Sequence, residues 1–153
     1  MDEQVRFARF WVDESRRTRR VLERIPEGAT WVPDPKSRRA QAIAWQIVIE
    51  EGLILEALEK GVMHFTPVPM PETMAEILRK YDAQAATAEA RLDLLPAARW
   101  SGEIAMGKRR TSASAMAWSF LFDLIHHRGQ ITTYLRAMGS KVPQVYGPSG
   151  DEP

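Results

Sequence analysis

The stretch SASAMAWSFLFDLIHHRGQITTYLRAM, Ser112 to Met138, decides the fold. It runs without proline to Gly139, a residue suited to the left-handed turn that ends many helices. We read it as one long helix. Three earlier segments carry apolar residues at spacings of three and four, the helical period. From Asp2 to Ile25, Phe7, Phe10, Trp11, Val21, Leu22 and Ile25 share one side, and Pro26 and Gly28 end the pattern. Ser37 is the predicted N-cap of a second helix that runs to Lys60 and is closed by Gly61. Its apolar residues, among them Ile43, Trp45, Ile47, Val48, Leu53, Ile54, Leu55 and Leu58, are too dense for one face, so it is buried on more than one side. Pro71 sits in the predicted first turn of a third helix. Met74, Ile77, Leu78, Tyr81, Ala85, Ala88, Leu92 and Leu95 form its core stripe, and Pro96 stops it.

The links are long and proline-bearing. The first holds Pro33 and Pro35, with Trp31 and Val32 pinning it to the helices; the second, Val62 to Met70, reads as an extended crossover. Trp100, Ile104 and Met106 lie in an irregular piece suited to a short hairpin or to covering one end of the helices. The tail from Ser140 carries Pro143, Gly147, Pro148 and Gly150, too many turn formers for a helix. The expected fold is all-α: a single domain over residues 1–153, a four-helix bundle with crossover connections and an irregular C-terminal tail.

Composition narrows the function classes. The chain has 153 residues and no cysteine, which excludes thiol nucleophiles, disulfides and thiolate metal sites. Its 21 basic and 20 acidic residues nearly cancel, so no global charge argues for nucleic acid or an anionic membrane. Arg16, Arg17, Arg19 and Arg20 cluster, and we read them as a solvated helix face. No export signal and no membrane-length apolar run stand out, which makes a cytoplasmic protein the expectation.

The chemistry concentrates in Asp123-Leu124-Ile125-His126-His127-Arg128-Gly129-Gln130. Adjacent histidines diverge by about 100° on a helix, so His126 and His127 do not serve one inward site. Asp123 and His127 share a face, as do Gln130 and Tyr134. A carboxylate and an imidazole at that spacing can chelate one divalent ion, and the same spacing suits a hydrogen-bonded pair. Gly129 costs a helix ~1 kcal/mol against alanine, which suggests close approach by another backbone or a bulky neighbour. Arg128 reads as a surface cation by default, with pairing to a buried acid as the alternative, and His64 as a loop residue, while Trp45, Trp118, Phe120, Phe122 and Tyr134 read as core and cavity lining.

The run His126 to Gln130, then Tyr134-Leu135-Arg136-Ala137-Met138-Gly139, Val142-Pro143 and Tyr146-Gly147-Pro148-Ser149-Gly150-Asp151, resembles the C-terminal signature of the DinB-like superfamily of metalloenzymes. Ala44 to Glu51 resembles that family's second-helix ligand segment. The resemblance implies a divalent metal held by three histidines, one from the second helix and two, four residues apart, from the last. His127 matches one of them. Asp123 and Gln46 stand at the other two positions, and His126 matches an extra histidine that is not ordinarily a ligand. The implied centre is therefore Gln46, Asp123 and His127, one nitrogen and two oxygens, with Glu50 one turn from Gln46 able to add charge. Such a set predicts weak binding of zinc, nickel, manganese or iron, or no metal and a buried hydrogen-bonded network in its place.

Two functions follow: a binder of a small-molecule ligand with a degenerate metal site, or an active metal-dependent transferase or isomerase using a small thiol, as the resemblance implies. A homodimer is expected, with the apolar second helix in support. The central expectation is that side chains 46, 123 and 127 converge in one interior pocket.

Overall fold

The computed structural model describes residues 2–153. Its long helices are α1 (Glu3–Leu22), α2 (Ala40–Lys60), α3 (Met74–Asp93) and α5 (Ala113–Leu135), the last extended by a 3-10 turn, Arg136–Met138; a short α4 (Ala97–Trp100) lies between α3 and α5. Each long helix packs on two others, in the ring α1–α3–α2–α5 and back to α1. Consecutive α1 and α2 therefore stand at diagonal corners, which is why the link between them is long. Among the described residues, no helix is long and apolar enough to cross a membrane.

Helix ends follow local chemistry. Gly61 and Gly139 adopt φ of +70° and +78° and close α2 and the final turn. Thr73, not Pro71, starts α3: its hydroxyl accepts from the Glu76 amide, and the Glu27 carboxylate accepts from the Met74 amide. Ser37 does not cap α2, which begins at Ala40 after an extended Arg39 with no side-chain cap. Residues 103–112 form the hairpin β1 (Glu103–Met106) and β2 (Arg109–Ser112) around a two-residue turn whose first position, Gly107, has φ +56°. The start of the crossover joins it through Met63 N–H to Ala105 O. Ile104, Met63 and Trp100 are buried beneath, so the hairpin also covers one end of the bundle.

Two polar clusters lie inside. Arg128, expected at the surface, is only 2 % exposed. Its guanidinium pairs with Glu14 Oε2 at 2.6 Å and donates to the Glu14 carbonyl, Thr18 Oγ1 and the Tyr146 hydroxyl. The Tyr146 ring also lies against the Arg17 and Arg128 guanidinium groups, and its hydroxyl donates to Glu14 Oε2. The tail is thus a strap that ties α1 to α5. Asp151 locks it, accepting from the Val142 amide and the Arg136 guanidinium.

The second cluster joins α1, α2 and α3. The Tyr81 hydroxyl stands 2.9 Å from the Ser15 carbonyl and 3.2 Å from Glu51 Oε1, with Gln84 Nε2 donating to Glu51 Oε2. A single phenolic proton cannot serve both acceptors, so a proton on Glu51 satisfies the second. Burial agrees, pushing the Glu51 pKa up to about 7 from 4.5 against the pull of Gln84 and Tyr81.

Two predictions follow from these clusters. Removing Arg128 leaves the buried Glu14 with Arg17 as its remaining cation, so Arg128→Ala lowers unfolding free energy by about 3 kcal/mol, and Tyr146→Phe by about 1 kcal/mol, in urea titrations. Glu51 is held protonated in the fold, so its stabilising contribution is complete below pH 4.5 and disappears as pH rises to about 7. Comparing Glu51→Gln with the parent by urea unfolding at acid and alkaline pH isolates this, with a relative gain for the variant of about 3 kcal/mol at alkaline pH.

Candidate metal centre

α2 and α5 lie side by side, and one turn of each faces the other. Gln46 and Glu50 are successive-turn neighbours on α2, as Asp123 and His127 are on α5. The Gln46 amide nitrogen donates to Glu50 Oε1 at 2.5 Å and to His127 Nε2 at 2.8 Å. Asp123 Oδ2 lies 3.4 Å from that same His127 nitrogen. One ligand atom from each of Glu50, Asp123 and His127 falls within 4.8 Å of the others. The structure thus brings together the three residues singled out in the sequence and sets Glu50 among them.

The place is an edge, not the interior pocket expected. His127 is buried and Gln46 and Glu50 are half-buried, but the Asp123 side chain is 51 % exposed. The cluster opens into a hollow of ≈ 310 Å³ lined by Glu50, Phe65, Ser119, Phe120 and Asp123.

His127 has a defined tautomer. Its Nδ1 lies 2.9 Å from Gln130 Oε1, which can only accept. The proton therefore sits on Nδ1, and Nε2 turns its lone pair toward the cluster, where the Gln46 N–H meets it. Gln130 orients the ring as outer partners orient metal-binding imidazoles. Sequence reasoning paired Gln130 with Tyr134 instead; its place three residues after His127 was the available signal.

The electrostatics set two carboxylates side by side. Burial raises the Glu50 pKa, the Gln46 hydrogen bond lowers it, the nearby Asp123 carboxylate raises it and His127 lowers it. Gln46 Oε1 and Glu50 Oε2 are buried with no hydrogen-bond partner. An idle buried acceptor costs about 1–3 kcal/mol. A divalent ion would neutralise the paired carboxylates and use the idle oxygens, so the residues present fit a metal.

The remaining candidates lie elsewhere. His126 and His64 are exposed. Trp45 and Tyr134 are buried and Trp118 and Phe120 half-buried, but Phe122, expected as lining, is 62 % exposed. A Cβ built on Gly129 meets nothing within 4 Å, so no bulky neighbour in this chain requires that glycine. The arginines of α1 border a larger hollow of ≈ 590 Å³ between α1 and α3. Arg16, Arg17 and Arg19 pair there with Asp13, Glu14 and Asp82, while Arg20, also at its border, forms no ion pair among the described residues.

A ring of four long helices with a histidine–carboxylate cluster between two of them defines a helical bundle with a candidate metal centre. The chain belongs to the DinB family, whose model matches residues 1–153. Its fold is similar to the crystal structure of a DinB-like protein from Bacillus subtilis, with a TM-score of 0.76 and 17 % identity over 94 % of this chain and 99 % of that one. A comparison with curated proteins finds no match.

The tautomer is directly measurable. Long-range proton–nitrogen NMR of the neutral imidazole should show the His127 proton on Nδ1, and Gln130→Leu, which offers Nδ1 no acceptor, should shift population to the other tautomer.

Proposed function

We propose that this DinB-family chain binds one divalent cation weakly at Glu50, Asp123 and His127, with a small-molecule ligand taken in the adjoining hollow. The observation that carries this reading is the Gln46 amide, which points both protons at lone pairs that a metal would use. An imidazole in its place would be a ligand, whereas the amide nitrogen stands in for the cation. Turned over, the same amide presents Oε1, so Gln46 can serve as a fourth, weak donor once an ion is present. Two carboxylates and one imidazole favour manganese or iron over softer ions, with zinc and nickel as competitors. When bound, such an ion supplies Lewis acidity and lowers the pKa of a water or thiol beside it. The chain's own part is to orient His127 through Gln130 and to leave the Asp123 side open to the ligand. A cytoplasmic setting belongs to the same reading, supported by the cysteine-free composition.

Calorimetry with Mn²⁺ and Zn²⁺ tests the site. The account expects one ion per chain and loss of at least tenfold in affinity, about 1.4 kcal/mol, for Glu50→Gln and for Asp123→Ala. Gln46→His, which exchanges the competing donor for a ligand, should tighten Zn²⁺ by a similar factor or more. Uptake indifferent to Glu50 and Asp123, or none at millimolar metal, contradicts it.

A further inference from the structure

The hollow between α1 and α3 shares no residue with the candidate centre, which lies between α2 and α5. Its ≈ 590 Å³ is the size of a small-molecule pocket. The two helices run antiparallel along it. Gln4, in the first turn of α1, donates to the Leu92 and Leu95 carbonyls, and Arg19, near the end of α1, meets Asp82 at 2.6 Å. The space exists because α3 turns Ala85, Ala86 and Ala88 to it, side chains that end at Cβ, while Trp11, Val12 and the arginine stems of α1 form the other wall. Asp82 and Glu89 mark its ends on α3, seven residues or about 10 Å apart. Its polar groups are unevenly committed. The Ser15 and Tyr81 hydroxyls serve each other and Glu51. Arg17 is held by Glu14, and Arg19 by Asp82 and Glu23. Arg20 and Glu89 form no ion pair among the described residues. Trp11 is 1 % exposed, and its indole N–H is buried with no hydrogen-bond partner.

We propose that this hollow binds a slender monocarboxylate, with its charged head on Arg20 and its apolar body along Trp11 and the alanines of α3. One free cation matches one negative charge. A phosphate or a nucleotide would need the arginines that Glu14, Asp82 and Glu23 already hold. The antiparallel register puts Arg20 beyond the Asp82 end and Glu89 at the other, so the two idle charges face each other along the length of the hollow. Glu89 repels a second carboxylate there, and the site therefore tells a monocarboxylate from a dicarboxylate of the same length. A straight chain of about eight carbons spans the Asp82–Glu89 distance. Arg20 is exposed, so its ion pair contributes modestly and burial of the apolar body supplies most of the affinity. The idle Trp11 donor belongs to the same wall. A buried N–H without a partner is costly, and an oxygen of the ligand, or a water that enters with it, gives it one.

The proposal does not rest on metal, so it is tested with EDTA present. Proton–nitrogen NMR of the protein is followed as octanoate, or suberate, its eight-carbon dicarboxylate counterpart, is added. Octanoate should move the Trp11 indole signal, identified by its loss in Trp11→Phe, to saturation with a Kd below about 1 mM. Suberate should bind about fivefold more weakly or worse. Arg20→Gln should weaken octanoate about threefold, and Glu89→Gln should bring suberate to within about twofold of octanoate. Ala85→Phe, which fills the hollow, should abolish the shift while helicity is kept. Asp123→Ala, at the candidate metal centre, should change none of these. No saturable shift at about 10 mM octanoate overturns the proposal. So does suberate binding as tightly as octanoate to the parent protein, or octanoate binding that Asp123→Ala removes and Arg20→Gln leaves intact.

Discussion

The candidate centre depends on one amide. Gln46 reaches from α2 to α5 and gives its two protons to Glu50 and His127, the two acceptors that burial would otherwise leave idle. Without a cation, that amide holds together groups that would repel or stay unsatisfied. In the proposed reading it preserves the geometry of a metal centre and lowers its affinity, because binding must first displace those hydrogen bonds. Glu50 and Gln46 still leave one unpartnered oxygen each, so the substitution is incomplete and the place keeps a residual appetite for positive charge.

That amide is useful only if α5 is held at the right rotation and height. The buried Arg128 does this from the adjoining side of the same helix, about 100° round from His127. Its pairing with Glu14 fixes α5 to α1, and Tyr146 brings the tail across as a third strand of the same knot. His127 and Arg128 are neighbours in sequence, so the ion pair that anchors one residue aims the next toward α2. The strap is the reason a tail rich in proline and glycine has a defined path. It lies on the α1 side and makes no contact with the hollow.

The sequence made the scaffold legible because apolar spacing is set by burial, and burial is what the bundle satisfies. The four long helices, the crossover and the hairpin over one end all follow from it, and the family resemblance located residues 46, 123 and 127 on facing turns. What escaped was partner choice. Arg128 looked like a surface cation because its partner, Glu14, lies over a hundred residues away and on a helix whose other acids are exposed. Gly129 looked packed because a helical glycine implies a close neighbour, yet none exists within the chain. Helix starts at Ser37 and Pro71 failed because capping is decided by which hydroxyl reaches a free amide, and Thr73 does so where Ser37 does not.

The central claim is that Glu50, Asp123 and His127 are a cation's ligands with the Gln46 amide in its place. Anomalous diffraction from crystals grown with excess Mn²⁺ tests it most directly. The account predicts one peak at bonding distance from His127 Nε2 and both carboxylates, with the Gln46 amide turned so that its nitrogen no longer faces the imidazole. A peak elsewhere in the bundle, or an unchanged Gln46–His127 hydrogen bond under saturating metal, would contradict it.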